Sequence, residues 1–174
     1  MGFRRAAEIL HAAMLAGQSV RDLDTVIFPY AACWRHFLEV QLKALLAELR
    51  ALSDLPVEGR HHHRIDQLWL ETRKLMIEQF PSDRADFVQV GKVISQLARM
   101  DPDGQAFRYA VERDGRETLS EVEHINLVAF QEAMVGVANY LEAADTGVIE
   151  YLSTKREMDS YYAAEFGQDW CDFN

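Results

Sequence analysis

A chain of 174 residues, 49% hydrophobic and 26% charged, is sized for one domain whose core needs no disulfide or metal to hold it. Its formal net charge of −10 excludes a sequence-independent grip on nucleic acid over the whole surface, so any role on RNA requires a local basic site or a neutralising partner. Two cysteines, Cys33 and Cys171, without Cys-x-x-Cys spacing provide no disulfide framework.

The opening stretch, MGFRRAAEILHAAMLAG, is amphipathic and carries Glu8 and His11, so it lacks the apolar core of a signal peptide. Ala6 stands where a myristoylation site wants Ser or Thr, and no apolar run reaches membrane-spanning length. The expected setting is cytoplasmic, with no membrane partner. A first helix is expected from about Phe3 to Ala16, with Phe3, Ala7, Leu10 and Met14 as its stripe and Gly17 as its stop.

Pro29 suits the start of a central helix that runs to about Leu52. Stepped at about 100° per residue, Trp34, Leu38, Leu42, Leu45, Leu46 and Leu49 gather on one arc, and Cys33, Phe37, Val40, Ala44 and Ala47 on the roughly opposite one. A helix apolar on two sides is wrapped by others. A polar seam of Arg35, Glu39, Lys43 and Arg50 runs between the arcs, with His36 beside it. Arg35 falls inside the leucine arc, where a guanidinium needs a partner, and Glu39 is one turn on. The pair is either structural or the lining of a polar site.

The turn-rich SDLPVEG ends this helix. A third helix is expected from about Arg64 to Gln79, with Ile65, Leu68, Trp69, Thr72, Leu75, Met76 and Phe80 as its stripe, ended by Pro81. Ser82 or Asp83 caps a fourth, from about Arg84 to Met100. Asp101–Gly104 reads as a turn. AFRYAVERDGRETL reads as two short extended runs about an Asp-Gly turn, which puts Phe107 and Tyr109 on one face and Arg108 on the other. Arg108 is then a solvated arginine beside two anchoring aromatics, or a phosphate-reading one. His124 has the place of a cap or surface residue. A last helix spans about Ile125 to Lys155.

The expected fold is all-α: a bundle of four to five main helices with a small extended or hairpin insertion near residues 106–119. Residues 1–155 form the single domain, and 156–174 an acidic, aromatic-containing tail. Tyr161, Tyr162, Phe166, Trp170 and Phe173 in that tail exceed what a small bundle buries alone, which points to a homodimer, the commonest assembly.

Phosphate loops, Gly-x-Ser-x-Gly elbows and His-Glu-x-x-His are absent. His61-His62-His63 is a poor metal site because adjacent side chains diverge, and no metal or other cofactor is expected. The short linker makes the central and third helices antiparallel neighbours. The histidines can then meet Lys43 or Arg50 as readily as Arg35.

WRHFLEVQLKALL, the His-x-Ile-x-x-Leu-Trp run at His63–Trp69, AFRYAVERDG and EHINL at Glu123–Leu127 together resemble a group of uncharacterised bacterial helical proteins related to the HEPN superfamily. The resemblance covers most of residues 28–152. Where that group carries His-Asp-Leu, this chain has His63-Arg64-Ile65, and Ala110 replaces the proline after Phe-Arg-Tyr. The resemblance implies an all-α dimer of a bacterial defence or stress module, with Arg35, His36, Glu39, His63, Arg108 and Tyr109 as its positions of interest. Ribonucleolytic HEPN domains carry an Arg and a His four to six residues apart on a late helix. Here Arg4 or Arg5 with His11 has that spacing, but on the first helix, and Arg116 and His124 are too far apart.

The leading expectation is binding or cleavage of RNA, or binding of a nucleotide. Arg35, His36 and His63 would be catalytic, and Glu39, Arg108 and Tyr109 would bind ligand; the arginines hold phosphate and a histidine moves a proton. The alternative is a non-catalytic helical scaffold that binds a protein partner.

Overall fold

The computed structural model describes residues 2–17, 19–56, 62–81, 84–109, 111, 115, 117–119, 122 and 124–166. Five helices follow one another: α1 (Gly2–Ala16), α2 (Val20–Leu52), α3 (Ile65–Gln79), α4 (Arg84–Met100) and α5 (Leu127–Phe166). α2 is the hub. It packs on α1, α3 and α5, while α4 packs on α3 and α5. The fold is an all-α bundle. No described helix is long and apolar enough to cross a membrane.

The leucine arc of α2 makes this bundle. Trp34, Leu38, Leu42, Leu45, Leu46 and Leu49 are all buried, and burying a leucine contributes about 1.5–3 kcal/mol. The other arc is covered only in part. Phe37 is buried, but Val40 is 48% exposed and Ala44 also faces water. α1 explains the difference, because its 15 residues run along less than half of the 33-residue α2. Phe3 meets His36 and His11 meets Tyr30, so α1 lies antiparallel on the first half of α2. At that end Tyr30 Oη and Trp34 Nε1 both donate to Gln131 Oε1, at 2.8 and 3.2 Å, and tie α2 to α5.

Three expectations are corrected. α2 does not begin at Pro29; the proline lies inside a helix that starts at Val20. Proline removes one amide from the ladder, but Val26 and Ile27 pack against the core and hold the earlier turns in place. α5 does not stop near Lys155. It continues to Phe166, and the first residues assigned to the tail are therefore helix. Gly136 and Gly147 do not interrupt it. Tyr161 and Tyr162 are exposed there, whereas Trp170, Cys171 and Phe173 lie outside the described residues.

The third correction concerns the extended insertion. Its strand pairing among the described residues is one antiparallel bridge, Val111 to Glu117, with Gly115 at a left-handed φ of +87°. Phe107-Arg108-Tyr109 is not extended. The amides of Arg108 and Tyr109 both donate to the Gln105 carbonyl, at 2.9 and 3.1 Å, which makes a helical turn. The Asp101 carboxylate starts this turn by accepting from the Ala106 amide at 3.0 Å. Phe107 is therefore buried while Tyr109 is exposed, and the two do not share a face. The caps proposed at Ser82 or Asp83 lie outside the described residues. At α5 the cap is Asn126, whose Oδ1 accepts from the Ala129 amide at 3.0 Å; His124 is exposed upstream.

Candidate functional site

Arg35 reaches from α2 to two other parts of the chain and is 2% exposed. Its Nε donates to the Asp101 carbonyl at the end of α4, at 3.2 Å. Its Nη1 donates to Glu39 Oε2 at 3.2 Å. Its Nη2 donates to the backbone carbonyl of His63, just before α3. One guanidinium thus joins α2, the entry to α3 and the exit from α4. A buried cation persists only when it is paired and bonded in this way.

Glu39 is the centre of charge. Its Oε1 receives Lys43 Nζ at 2.7 Å and faces His63 Nδ1 at 2.8 Å. Burial pushes its carboxyl up, but the hydrogen bonds and charges of Lys43 and His63 outweigh that and hold it below its ordinary value. An ionised carboxylate can only accept, so His63 Nδ1 is the donor, and proton exchange falls to Nε2. The His63 side chain is 68% exposed. Its ring is therefore oriented from behind by a carboxylate and open to solvent in front.

Arg108 reaches the same glycine, Gly104, that Arg35 approaches. That glycine has φ +82°, a left-handed conformation suited to glycine. A Cβ there would lie 3.7 Å from Arg35 Nη2 and 3.9 Å from Arg108 Nη2. Two guanidinium groups therefore converge on one glycine. Arg108 Nε donates to the Gly104 carbonyl at 2.6 Å, and its Cζ lies 5.8 Å from the centre of the Tyr109 ring, within cation–π range. Arg108 also lines a groove of about 1200 Å³ between the α1–α2 corner and the segment before α5, with Leu23, Ile27, Phe28, Tyr109 and Ile125 among its walls.

Four expected residues thus form one neighbourhood: Arg35, Glu39 and His63 in direct contact, and Arg108 beside Arg35 at Gly104. Tyr109 joins through Arg108. His36 does not. It is exposed on the next face of α2, with its ring 4.1 Å from Phe3 in an edge-to-face contact. His62 and His63 do not act as a unit either. His62 Nε2 lies 3.8 Å from Glu71 Oε1, away from Glu39, and His61 lies outside the described residues. The Arg4–His11 spacing makes no site: Arg4 is bonded to Glu8, Glu142 and Asn139, and His11 stacks on Tyr30. Cys33 is half-buried, and burial pushes its thiol up.

Sequence reasoning missed Asp101 and Gly104 as parts of the site. The only signal was the turn DPDG, which carries both. Comparison with protein-family models, with curated proteins and with solved structures found no match.

Proposed function

We propose that this protein binds RNA or a nucleotide by its phosphate at Arg108, and that His63 is the proton-transfer group. The observation that carries this reading is the 2.8 Å contact of His63 Nδ1 with Glu39 behind a largely exposed ring. A carboxylate that fixes the tautomer and orientation of an imidazole prepares the other nitrogen for acid–base work. Arg108 supplies a cation for a phosphate oxygen. A chain of net charge −10 requires a local cation for such a ligand, and exposed Arg108 beside Gly104 supplies one. In RNA cleavage, His63 Nε2 would take the proton of the attacking 2′-hydroxyl while Arg108 holds the phosphate; the 2′-oxygen bonds to phosphorus as the bond to the 5′-oxygen breaks, and that oxygen leaves as a hydroxyl with a proton from water. Membership of a bacterial defence or stress module and a homodimeric state belong to the same reading, on the HEPN-like resemblance.

Arg35 has a different part from the one its residue type suggests. It is buried and engaged on three sides, so it holds His63 and the Asp101–Arg108 segment in position and does not touch ligand. That same observation favours the rival reading, a scaffold in which the cluster serves structure alone and the partner is a protein.

The test is RNA cleavage and nucleotide binding by the purified protein, run beside His63→Ala, Arg108→Ala and His36→Ala. The expected result is loss of cleavage with binding retained in His63→Ala, binding weakened at least tenfold in Arg108→Ala, and no change in His36→Ala. Failure of the wild type to bind or cleave either ligand, with a protein partner recovered by pull-down, overturns the reading in favour of the scaffold.

A further inference from the structure

We infer that the groove beside Arg108 receives the aromatic base of the ligand, stacked against Tyr109 and Phe28. The inference rests on the phosphate reading above and names where the rest of the ligand lies. Arg108 belongs to both places: its guanidinium converges with that of Arg35 on Gly104, and the same side chain lines the groove. A ligand anchored there by a phosphate oxygen has its other end over the groove.

The walls fit a planar ring. Tyr109 and Phe28 both line the groove, come from different elements, and are 56% and 44% exposed. Tyr109 is held in place. Its amide donates to the Gln105 carbonyl, and its own carbonyl accepts from Thr118 Oγ1 at 2.6 Å. A fixed, exposed aromatic is the platform on which bases stack, and it carries a cation–π contribution where an arginine lies over it. The groove, at about 1200 Å³, admits a base with its sugar. Asp24, Glu117 and His124 lie among its apolar walls. These groups can pair with the donors and acceptors of a base edge, and an alkyl chain has nothing to offer them.

The experiment is calorimetric titration of the full chain with adenosine monophosphate, ribose 5-phosphate and dodecyl phosphate, repeated on Tyr109→Ala and Phe28→Ala. Tyr109 is exposed, so its loss leaves the fold intact, as circular dichroism will register. Adenosine monophosphate is expected to bind about 10- to 100-fold more tightly than ribose 5-phosphate. Tyr109→Ala should remove most of that advantage and leave ribose 5-phosphate unchanged. Equal binding of the two sugar phosphates overturns the inference while the phosphate reading stands. Dodecyl phosphate as the tightest ligand overturns it in favour of an alkyl-chain groove. If no sugar phosphate binds but RNA is still bound or cleaved, the inference fails alone; if RNA is also ignored, the proposed function fails with it.

Discussion

Glu39 and Glu48 stand on the same helix and meet opposite surroundings. Burial pushes both carboxyls up and is the largest influence on each. Around Glu39 it is overcome: Arg35, Lys43 and His63 all reach its oxygens, and the group is held below its ordinary value. Glu48 faces α5, and what it meets there is another acid. Asp145 adds to the effect of burial, and the Glu48 carboxyl is pushed up to about 7. Glu48 Oε2 and Asp145 Oδ1 are buried with no donor to either. A proton kept on Glu48 can supply the missing donor. Depth is therefore not what separates a charged carboxylate from a protonated one on α2; the supply of cations from the neighbouring elements is.

The largest effect should come from Glu39. Glu39→Ala leaves the Arg35 guanidinium buried without its counter-charge, and stranding one partner of a buried pair costs about 3–5 kcal/mol. The double change Arg35→Met with Glu39→Leu should cost less than Glu39→Ala, because it strands nothing. Chemical denaturation of the two variants measures this, and an unaltered midpoint for Glu39→Ala would mean that the pair adds nothing to stability. The pH dependence follows from the sign of the shift. A carboxyl held below its ordinary value of 4.5 stabilises the fold above that value, and the contribution is lost as pH falls through the folded-state pKa. Glu39→Gln should flatten that acid-side loss.

Glu48 should show the reverse. Its folded-state pKa, about 7 against an ordinary 4.5, means that the folded state keeps a proton the unfolded chain gives up. Stability then falls as pH rises from about 4.5 to about 7 and levels off above. Glu48→Gln is neutral at every pH and can donate to Asp145 from its amide. It should raise stability near pH 7.5 by about 1–2 kcal/mol, the ~1.4 kcal/mol per pKa unit being reduced by partial solvent access. Its denaturation midpoint should also be nearly independent of pH across that window. An unchanged slope would show that Glu48 does not keep its proton in the folded state.

The same contrast explains what could be read from the sequence. Arg35 and Glu39 are legible because the pair lies one helical turn apart, and its cost is visible as soon as Arg35 falls among leucines. The leucine arc of α2 and the full span of α4 follow from periodicity in the same way. Glu48 and Asp145 are not legible. Each is an ordinary acid on an amphipathic helix, and they meet only because α2 and α5 run side by side, with Tyr30 and Trp34 bonded to Gln131 at one end and Lys155 bonded to Asp54 at the other. His63 is an intermediate case. A short linker brings it near α2, but its approach to Glu39 depends on the Arg35 bond to its own carbonyl, a tertiary contact with no sequence period. The Phe107–Tyr109 turn was misread because strand alternation and a single helical turn cannot be told apart over three residues; the Asp101 side chain decides between them.

A smaller effect is expected at His63. His63→Ala removes one of the three donors to Glu39 and leaves Arg35 and Lys43 in place. Because the ring is mostly exposed, the loss of stability should stay within about 0.2–1 kcal/mol. The acid limb of the stability curve should shift to slightly higher pH, since Glu39 loses one of the groups that hold its pKa down. A loss as large as that of Glu39→Ala would make His63 a structural keystone and weaken its assignment as the proton-transfer group.

The smallest effect should come from His36, the immediate neighbour of Arg35 in sequence. One residue along a helix is about 100° around it, and that rotation moves the side chain from the buried joint of α2, α3 and α4 to the exposed flank covered by the start of α1. The contact of its ring with Phe3 is an edge-to-face packing contact at the surface, and Phe3 is itself 46% exposed. His36→Ala should therefore shift the denaturation midpoint by less than about 0.5 kcal/mol and leave nucleotide affinity where it was. Two adjacent residues would then differ by an order of magnitude in what their removal costs. If His36→Ala lowers affinity as Arg108→Ala does, the ligand spans the α1 side of the bundle, and the division between the joint behind Arg35 and the surface in front of His36 does not hold.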